Sequence, residues 1–178
     1  MLNEKKYVSM LKKQDTLNIS KHGNYFYIMS DYSILKIHIS NIKKTLSDFI
    51  YSILNDFDIS HDFDIEYSKS LNNVYPHKNN LEIIDLVTEF HLEEREELLK
   101  TTLLTEHLNE LLNIFVSYSN KEYIFISKND IEMLDRRVRA TTYKKLVRFK
   151  YYNQDTAYYI VKKCDFGINK KFLKSLEG

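Results

Sequence analysis

The densest chemistry in this sequence lies in the 28 residues from Arg136 to Lys163, which hold nine Lys or Arg, five tyrosines and a single acid, Asp155. The stretch carries +8 in a chain whose formal charge is only +1. Cations interleaved with aromatic rings suit a surface that neutralises phosphates and stacks on bases, and they suit equally well a surface that meets an acidic protein. A lysine-coated strand that resists edge-to-edge association has the same composition. The spacing predicts a hairpin, Tyr143 to Tyr152 and Thr156 to Cys164, closed by Asn153-Gln154-Asp155, because Asn and Asp tolerate the left-handed backbone of a three-residue loop. That register pairs Val147 with Val161 and Phe149 with Tyr159 on an apolar face. The other face then groups Lys144, Arg148, Lys150, Tyr152, Tyr158 and Lys162. Glu132–Arg136 and Asp135–Arg139 are spaced to pair along a preceding helix, which leaves Arg137 with the hairpin cations. The expected binding set is therefore Arg137, Lys144, Arg148, Lys150 and Lys162 for phosphates, with Tyr152 and Tyr158 stacking on bases.

Other residue types point elsewhere with less force. Asp62, Asp64 and Glu66 alternate on one side of a candidate strand and offer oxygen ligands to Mg²⁺. No second acidic cluster completes a nuclease site, and alternating acids more often mark the wet face of a strand. The six histidines form no His-x-x-x-His pair and the single cysteine cannot build a zinc knuckle, so neither metal nor cofactor is expected. Three glycines, Gly23, Gly167 and Gly178, cannot make a P-loop, a dinucleotide-binding turn or a nucleophile elbow. No catalytic residues are assigned. The residual enzyme reading is a metal-independent ribonuclease with His61 or His107 as general base. A different class of function comes from the acids Glu82, Asp85, Glu89, Glu93, Glu94, Glu96, Glu97, Glu106 and Glu110, which on or between two helices would present phosphate-like spacing to a DNA-binding protein. That pattern suits a protein-binding inhibitor of the viral anti-defence kind, an anti-CRISPR or a DNA mimic acting on a host nuclease. Ordinary solvent faces of amphipathic helices would look the same.

Composition bounds these readings. The 178 residues are enough for one domain, and no apolar run approaches the roughly 20 residues a bilayer span needs. No apolar segment follows the charges of Met1-Leu2-Asn3-Glu4-Lys5-Lys6, and the lone Cys164 suits a reducing compartment, so a cytoplasmic protein is expected. Usage is skewed toward 21 Lys, 18 Ile and 15 Asn, with two Ala and one Pro. This is the signature of an AT-rich genome such as a low-GC bacterium, its phages or plasmids, or an AT-rich eukaryotic parasite. Charge is polarised along the chain, at +4 over residues 1–55, −10 over 56–110 and +7 over 111–178.

The elements expected to position these residues begin with a short helix over 2–13, then Gly23-Asn24 as a break before a hairpin, Tyr25 to Ser30 and Ser33 to Ile39. Alternation places Phe26, Ile28, Leu35, Ile37 and Ile39 inward and turns Lys36 and His38 to water. A helix over 41–54 follows, with Ser40 or Asn41 as its N-cap, and then a strand within 59–67. Helices are expected over 81–90 and 98–116, the second with a stripe of Leu99, Leu103, Leu108, Leu111, Leu112 and Phe115. Tyr123 to Ile126 reads as a strand, and Ser127 and Asp130 as a capping box opening a helix over 128–139.

From Tyr123-Ile124-Phe125-Ile126-Ser127-Lys128-Asn129-Asp130-Ile131-Glu132-Met133-Leu134 to the hairpin ending Ala157-Tyr158-Tyr159-Ile160-Val161, the pattern resembles the closing β-α-β-β unit of a DNA sliding-clamp domain. The resemblance covers residues 122–163 and implies a nucleic-acid-associated α+β protein, without carrying over any functional residue. The acidic middle and the ending Lys162-Lys163-Cys164 depart from a clamp. The expected architecture is a single α+β domain over 1–178, with antiparallel hairpins at both ends packed on central amphipathic helices. The expected function is non-enzymatic association with DNA or RNA, with a host protein as the alternative partner.

Overall fold

The computed structural model describes residues 2–30, 33–55, 58–77, 80–92, 96–107, 109–117, 122–134, 138–143, 146–151 and 155–161. Helix α1 (Glu4–Leu11) leads into strands β1 (Thr16–His22), β2 (Tyr25–Met29) and β3 (Ser33–His38), followed by a 3-10 turn (Ile39–Asn41) and helix α2 (Lys44–Leu54). Strands β4 (Phe63–Ser68) and β5 (Asn73–Pro76) precede helix α3 (Asn80–Leu92) and the two-residue β6 (Glu96–Glu97). A second hairpin region holds β7 (Leu99–His107), β8 (Glu110–Ser117) and β9 (Glu122–Ser127). Helix α4 (Lys128–Glu132) and strands β10 (Val138–Tyr143), β11 (Leu146–Tyr151) and β12 (Thr156–Val161) complete the described chain.

The fold is α+β and antiparallel throughout. Nine strands form one sheet in the order β5-β4-β1-β2-β3-β12-β11-β10-β6, and β7-β8-β9 form another. The two end hairpins do not sit apart on a helical middle. They join edge to edge, β3 against β12, with Lys36 opposite Ala157 and Ile34 opposite Tyr159. The unit with clamp-like pattern is divided between sheets, since β9 pairs with β8 while β10 to β12 belong to the larger sheet.

Each face of the large sheet is covered by different elements. On one, α1, α2 and the three-stranded sheet bury a core that includes Tyr7, Leu11, Ile28, Leu35, Leu46, Ile50, Phe115, Phe149, Tyr158 and Ile160. On the other, α3 lays Ile84 and Val87 on Tyr27, Met29, Ile34, Leu146, Ala157 and Tyr159. A strand buried on both faces shows near-continuous burial, and β11 does so from Leu146 to Phe149.

The expected helix over 98–116 is instead the β7–β8 hairpin, with His107 opposite Glu110 and Asn109 at φ +64°. Leucines four apart mimic a helical stripe, but Thr101, Thr102 and Thr105 are β-branched, and Asn109 supplies the left-handed residue of a tight turn. Both faces of β8 are buried from Leu112 to Phe115, Asn113 included, so apolar spacing alone does not choose between periods. The helix expected over 128–139 stops at Glu132, and Val138 and Arg139 already belong to β10. Arg139 lies opposite Lys150 rather than on a helix with Asp135.

Gly23-Asn24 proves to be the turn of a hairpin, with Gly23 at φ +57° and β1 as the strand before it. Neither Ser40 nor Asn41 caps α2. The Glu4 carboxylate does so from α1, accepting the N–H of Lys43 at 2.7 Å through Oε1 and that of Leu46 at 2.9 Å through Oε2.

Candidate functional site

Strand pairing decides which of the expected binding residues share a surface. The β11–β12 register sets Phe149 opposite Tyr158 and Arg148 opposite Tyr159, one residue away from the expected pairing. A slip of one residue turns each β12 side chain to the other face. Tyr158 therefore belongs to the core: it is 0 % exposed, sits edge to face with Tyr7 at 6.1 Å, and donates a long 3.4 Å hydrogen bond to Asp130. It does not stand beside Arg148 and Lys150, and a base cannot reach it in this fold. Arg148 is on the expected face but only 5 % exposed, while Lys150 is half-buried. Arg137, Lys144, Tyr152 and Lys162 lie outside the described residues, as does Arg136.

The structure supplies different neighbours for Arg148 and Lys150. One cross-strand row runs Ser20, Tyr27, Lys36, Ala157, Lys150, Arg139 from β1 to β10. Adjacent strands are spaced about 4.8 Å, so Lys36 and Lys150 stand about 10 Å apart at the backbone, with only a methyl group between them. The Lys36 ammonium lies 4.6 Å from the centre of the Tyr25 ring and 5.9 Å from that of Tyr27, within cation–π range of both. His38 meets the Tyr25 ring edge to face at 5.2 Å, and His22 meets Tyr27 at 6.2 Å. A notch of about 20 Å³ is lined by Tyr25, Lys36, Lys150, Asp155, Thr156 and Ala157.

Electrostatics in this cluster follow from burial and crowding. Burial lowers the Lys36 ammonium below its usual value; Asp155 pulls it back up, and the like charges of Lys150 and Arg148 push it down further. Burial raises the Tyr25 phenol, as do the negative charge of Asp155 and the hydrogen bond the phenol donates to it. Tyr27 is raised by burial and then by Tyr25. Asp155 thus faces both Lys36 and Tyr25.

The alternating acids Asp62, just before β4, and Asp64 and Glu66 within it are each engaged within the protein. Asn80 donates to Ser20 Oγ at 2.9 Å, Ser20 donates to Asp64 at 2.6 Å, and His22 Nε2 lies 2.9 Å from the same carboxylate oxygen. Asp62 accepts the Gly23 N–H at 2.9 Å and Glu66 lies 3.6 Å from His77. This network ties the start of α3 to β1 and β4. No cluster of three metal-ligating side chains occurs among the described residues. Of the two candidate bases, His61 is exposed beside Asp58 at 3.6 Å, and the His107 side chain lies outside the described set.

Ser127 caps α4 as expected, accepting the Asn129 N–H at 3.3 Å, while Asp130 turns inward to Tyr158. A groove of about 500 Å³ between α1 and α4 sets Lys5, Lys6 and Lys13 against Glu110, Asp130 and Glu132. Lys6 and Glu132 approach to 3.4 Å across it, so its opposed walls compensate each other.

Sequence reasoning missed Tyr25 and Tyr27, and it treated Lys36 and His38 only as a wet face. Alternation had already turned those two away from the core. Nothing local shows that β12 and β11 would bring Ala157, Lys150 and Arg148 alongside them. Comparison of the chain with protein-family models, with curated proteins and with solved structures finds no match.

Proposed function

We propose that this is a non-enzymatic nucleic-acid-associated protein that contacts phosphates through Lys36 and Lys150, with Arg148 behind them and Tyr25 presented to a base. Lys36 carries the reading. It is a lysine half withdrawn from water between two tyrosines, with Lys150 and Arg148 in the same field and Asp155 partly offsetting them. Concentrating like charges on a partly buried sheet face costs folding energy, and a bound phosphate offsets that cost where it forms. The inhibitor reading drew on two acidic helices, of which α3 remains with Glu82 and Asp85 exposed, whereas Glu89 accepts a 2.9 Å hydrogen bond from Tyr143.

Fluorescence anisotropy with generic oligonucleotides tests the proposal. Binding should weaken steeply with salt, and the pair Lys36→Gln plus Lys150→Gln should abolish it at physiological ionic strength. Arg148 is a poor probe, because truncating a buried cation disturbs packing as well as charge. If no nucleic acid binds at low salt, the proposal fails and an acidic protein becomes the partner to seek.

A further inference from the structure

We infer that the protein pairs with a second copy of itself through the open edge of β7, strand against antiparallel strand, about a two-fold axis at Leu103. The inference is independent of the proposed function. It begins with the sheet edges. Among the described residues the large sheet ends in β5, which has four residues and closes on Pro76, and in β6, which has two. Short strands and proline are devices that keep an edge from recruiting another chain. An edge of the smaller sheet, β7, carries neither. Its nine residues, Leu-Lys-Thr-Thr-Leu-Leu-Thr-Glu-His, include three β-branched threonines, no proline and one lysine.

The exposed side chains of this edge point to the same partner. Pairing with β8 sets Lys100 opposite Phe115, Leu104 opposite Asn113 and Glu106 opposite Leu111, so these three residues of β7 share the face that β8 turns to the core through Phe115. The register shifts between Lys100 and Leu104, where four steps along β7 match two along β8. Both steps are even, so the irregularity leaves all three on one face. Lys100, Leu104, Glu106 and Leu111 are nonetheless exposed, and that face lies uncovered where it reaches β7. Full antiparallel overlap of two β7 strands sets Lys100 opposite Glu106 of the second copy, and the two-fold axis repeats the pair on its other side. Opposite charges directly across antiparallel strands are favourable, and like charges are not. Thr101 then meets Thr105 of the second copy, and Leu104 lies diagonal to its own copy, with Leu111 beside it, so pairing withdraws exposed leucines from water. Such a contact uses each β7 edge once and closes at two chains.

Sedimentation velocity of the intact chain, without nucleic acid and between about 1 and 200 µM, tests the inference and should show a monomer–dimer equilibrium within that range. Lys100→Glu places like charges opposite each other on both sides of the axis and should weaken the dimer about tenfold or more. Adding Glu106→Lys to Lys100→Glu should restore it, which a folding defect would not allow. Leu104→Ser, at an exposed position, should weaken the dimer while leaving the circular dichroism spectrum unchanged. A chain that stays monomeric throughout the range would overturn the inference. So would a dimer indifferent to Lys100→Glu, or one that the double exchange fails to restore, since the contact would then lie elsewhere.

Discussion

Replacing Glu4 by alanine should cost the fold about 3 kcal/mol, because one carboxylate performs the capping of a helix to which it does not belong. Glu4 is 7 % exposed, and its two oxygens take the N–H groups of Lys43 and Leu46 at 2.7 and 2.9 Å. These are the donors at the cap position and third residue of α2, which a capping box would satisfy from within the helix. Each charge-assisted bond contributes about 1.5–3 kcal/mol, and the N-terminal dipole favours the same charge. On truncation, the Lys43 N–H can be rehydrated at an exposed position. The Leu46 N–H cannot, since that residue is fully buried, and an unsatisfied buried donor costs about 1–3 kcal/mol. For a chain of this length the loss corresponds to a fall in Tm of about 6–12 °C. Urea unfolding of Glu4→Ala should show a lower midpoint with the slope unchanged, and Glu4→Gln should fall between the two, since an amide offers only one acceptor oxygen. A loss below about 1 kcal/mol for Glu4→Ala would refute the reasoning, because α2 would then be capped by other means.

Substitutions at three other positions, Tyr158, Asn109 and Lys36, probe the fold and the site. Tyr158→Phe should cost about 1 kcal/mol or less and leave oligonucleotide binding unchanged, whereas Tyr158→Ala should cost about 3–5 kcal/mol, both read by chemical denaturation. A loss of binding in a well-folded Tyr158→Phe would mean that the tyrosine faces a ligand after all. Asn109→Val should destabilise by about 1–2 kcal/mol through its left-handed backbone, and Asn109→Gly should be close to neutral, as compared by urea midpoints. Equal effects of the two would argue against the β7–β8 turn. For Lys36 the folded pKa is lowered below its usual 10.5, so between the two values the unfolded chain holds more protons and stability rises with pH through that window. Lys36→Met should therefore abolish this rise and, with the side chain half in solvent, change stability at pH 7 by about 0.5 kcal/mol or less, in the favourable direction. Thermal melts at pH 7 and in the alkaline range check this.

Local alternation made much of this chain legible. The inward positions of Phe26, Ile28, Leu35 and Ile37 are as the pattern requires, and Lys36 and His38 lie on the opposite face, because a period of two admits only two faces. The helices α1, α2 and α3 follow from apolar spacing in the same way. Where both faces of a segment are buried the period is lost, which is why β8 resembles part of a helix in sequence. The loop of the last hairpin shows a second kind of failure. Pairing Phe149 with Tyr159 or with Tyr158 differs by one loop residue, yet that difference moves Tyr158 from the candidate surface into the core.

By itself the sequence determined the chemical character of this protein: a concentration of cations and tyrosines near the C-terminus, an antiparallel α+β pattern, and glycine and histidine usage that leaves out the common nucleotide-binding and metal motifs. Tertiary structure decided which cations become neighbours. Strand order is a long-range choice between edges of similar local character, and its outcome depends on how both faces of the finished sheet are covered. Only the junction of β3 with β12 sets Lys36 and Tyr25 beside Lys150 and Arg148. Residues more than a hundred positions apart become neighbours there, because hydrogen bonding between strands is blind to distance along the chain.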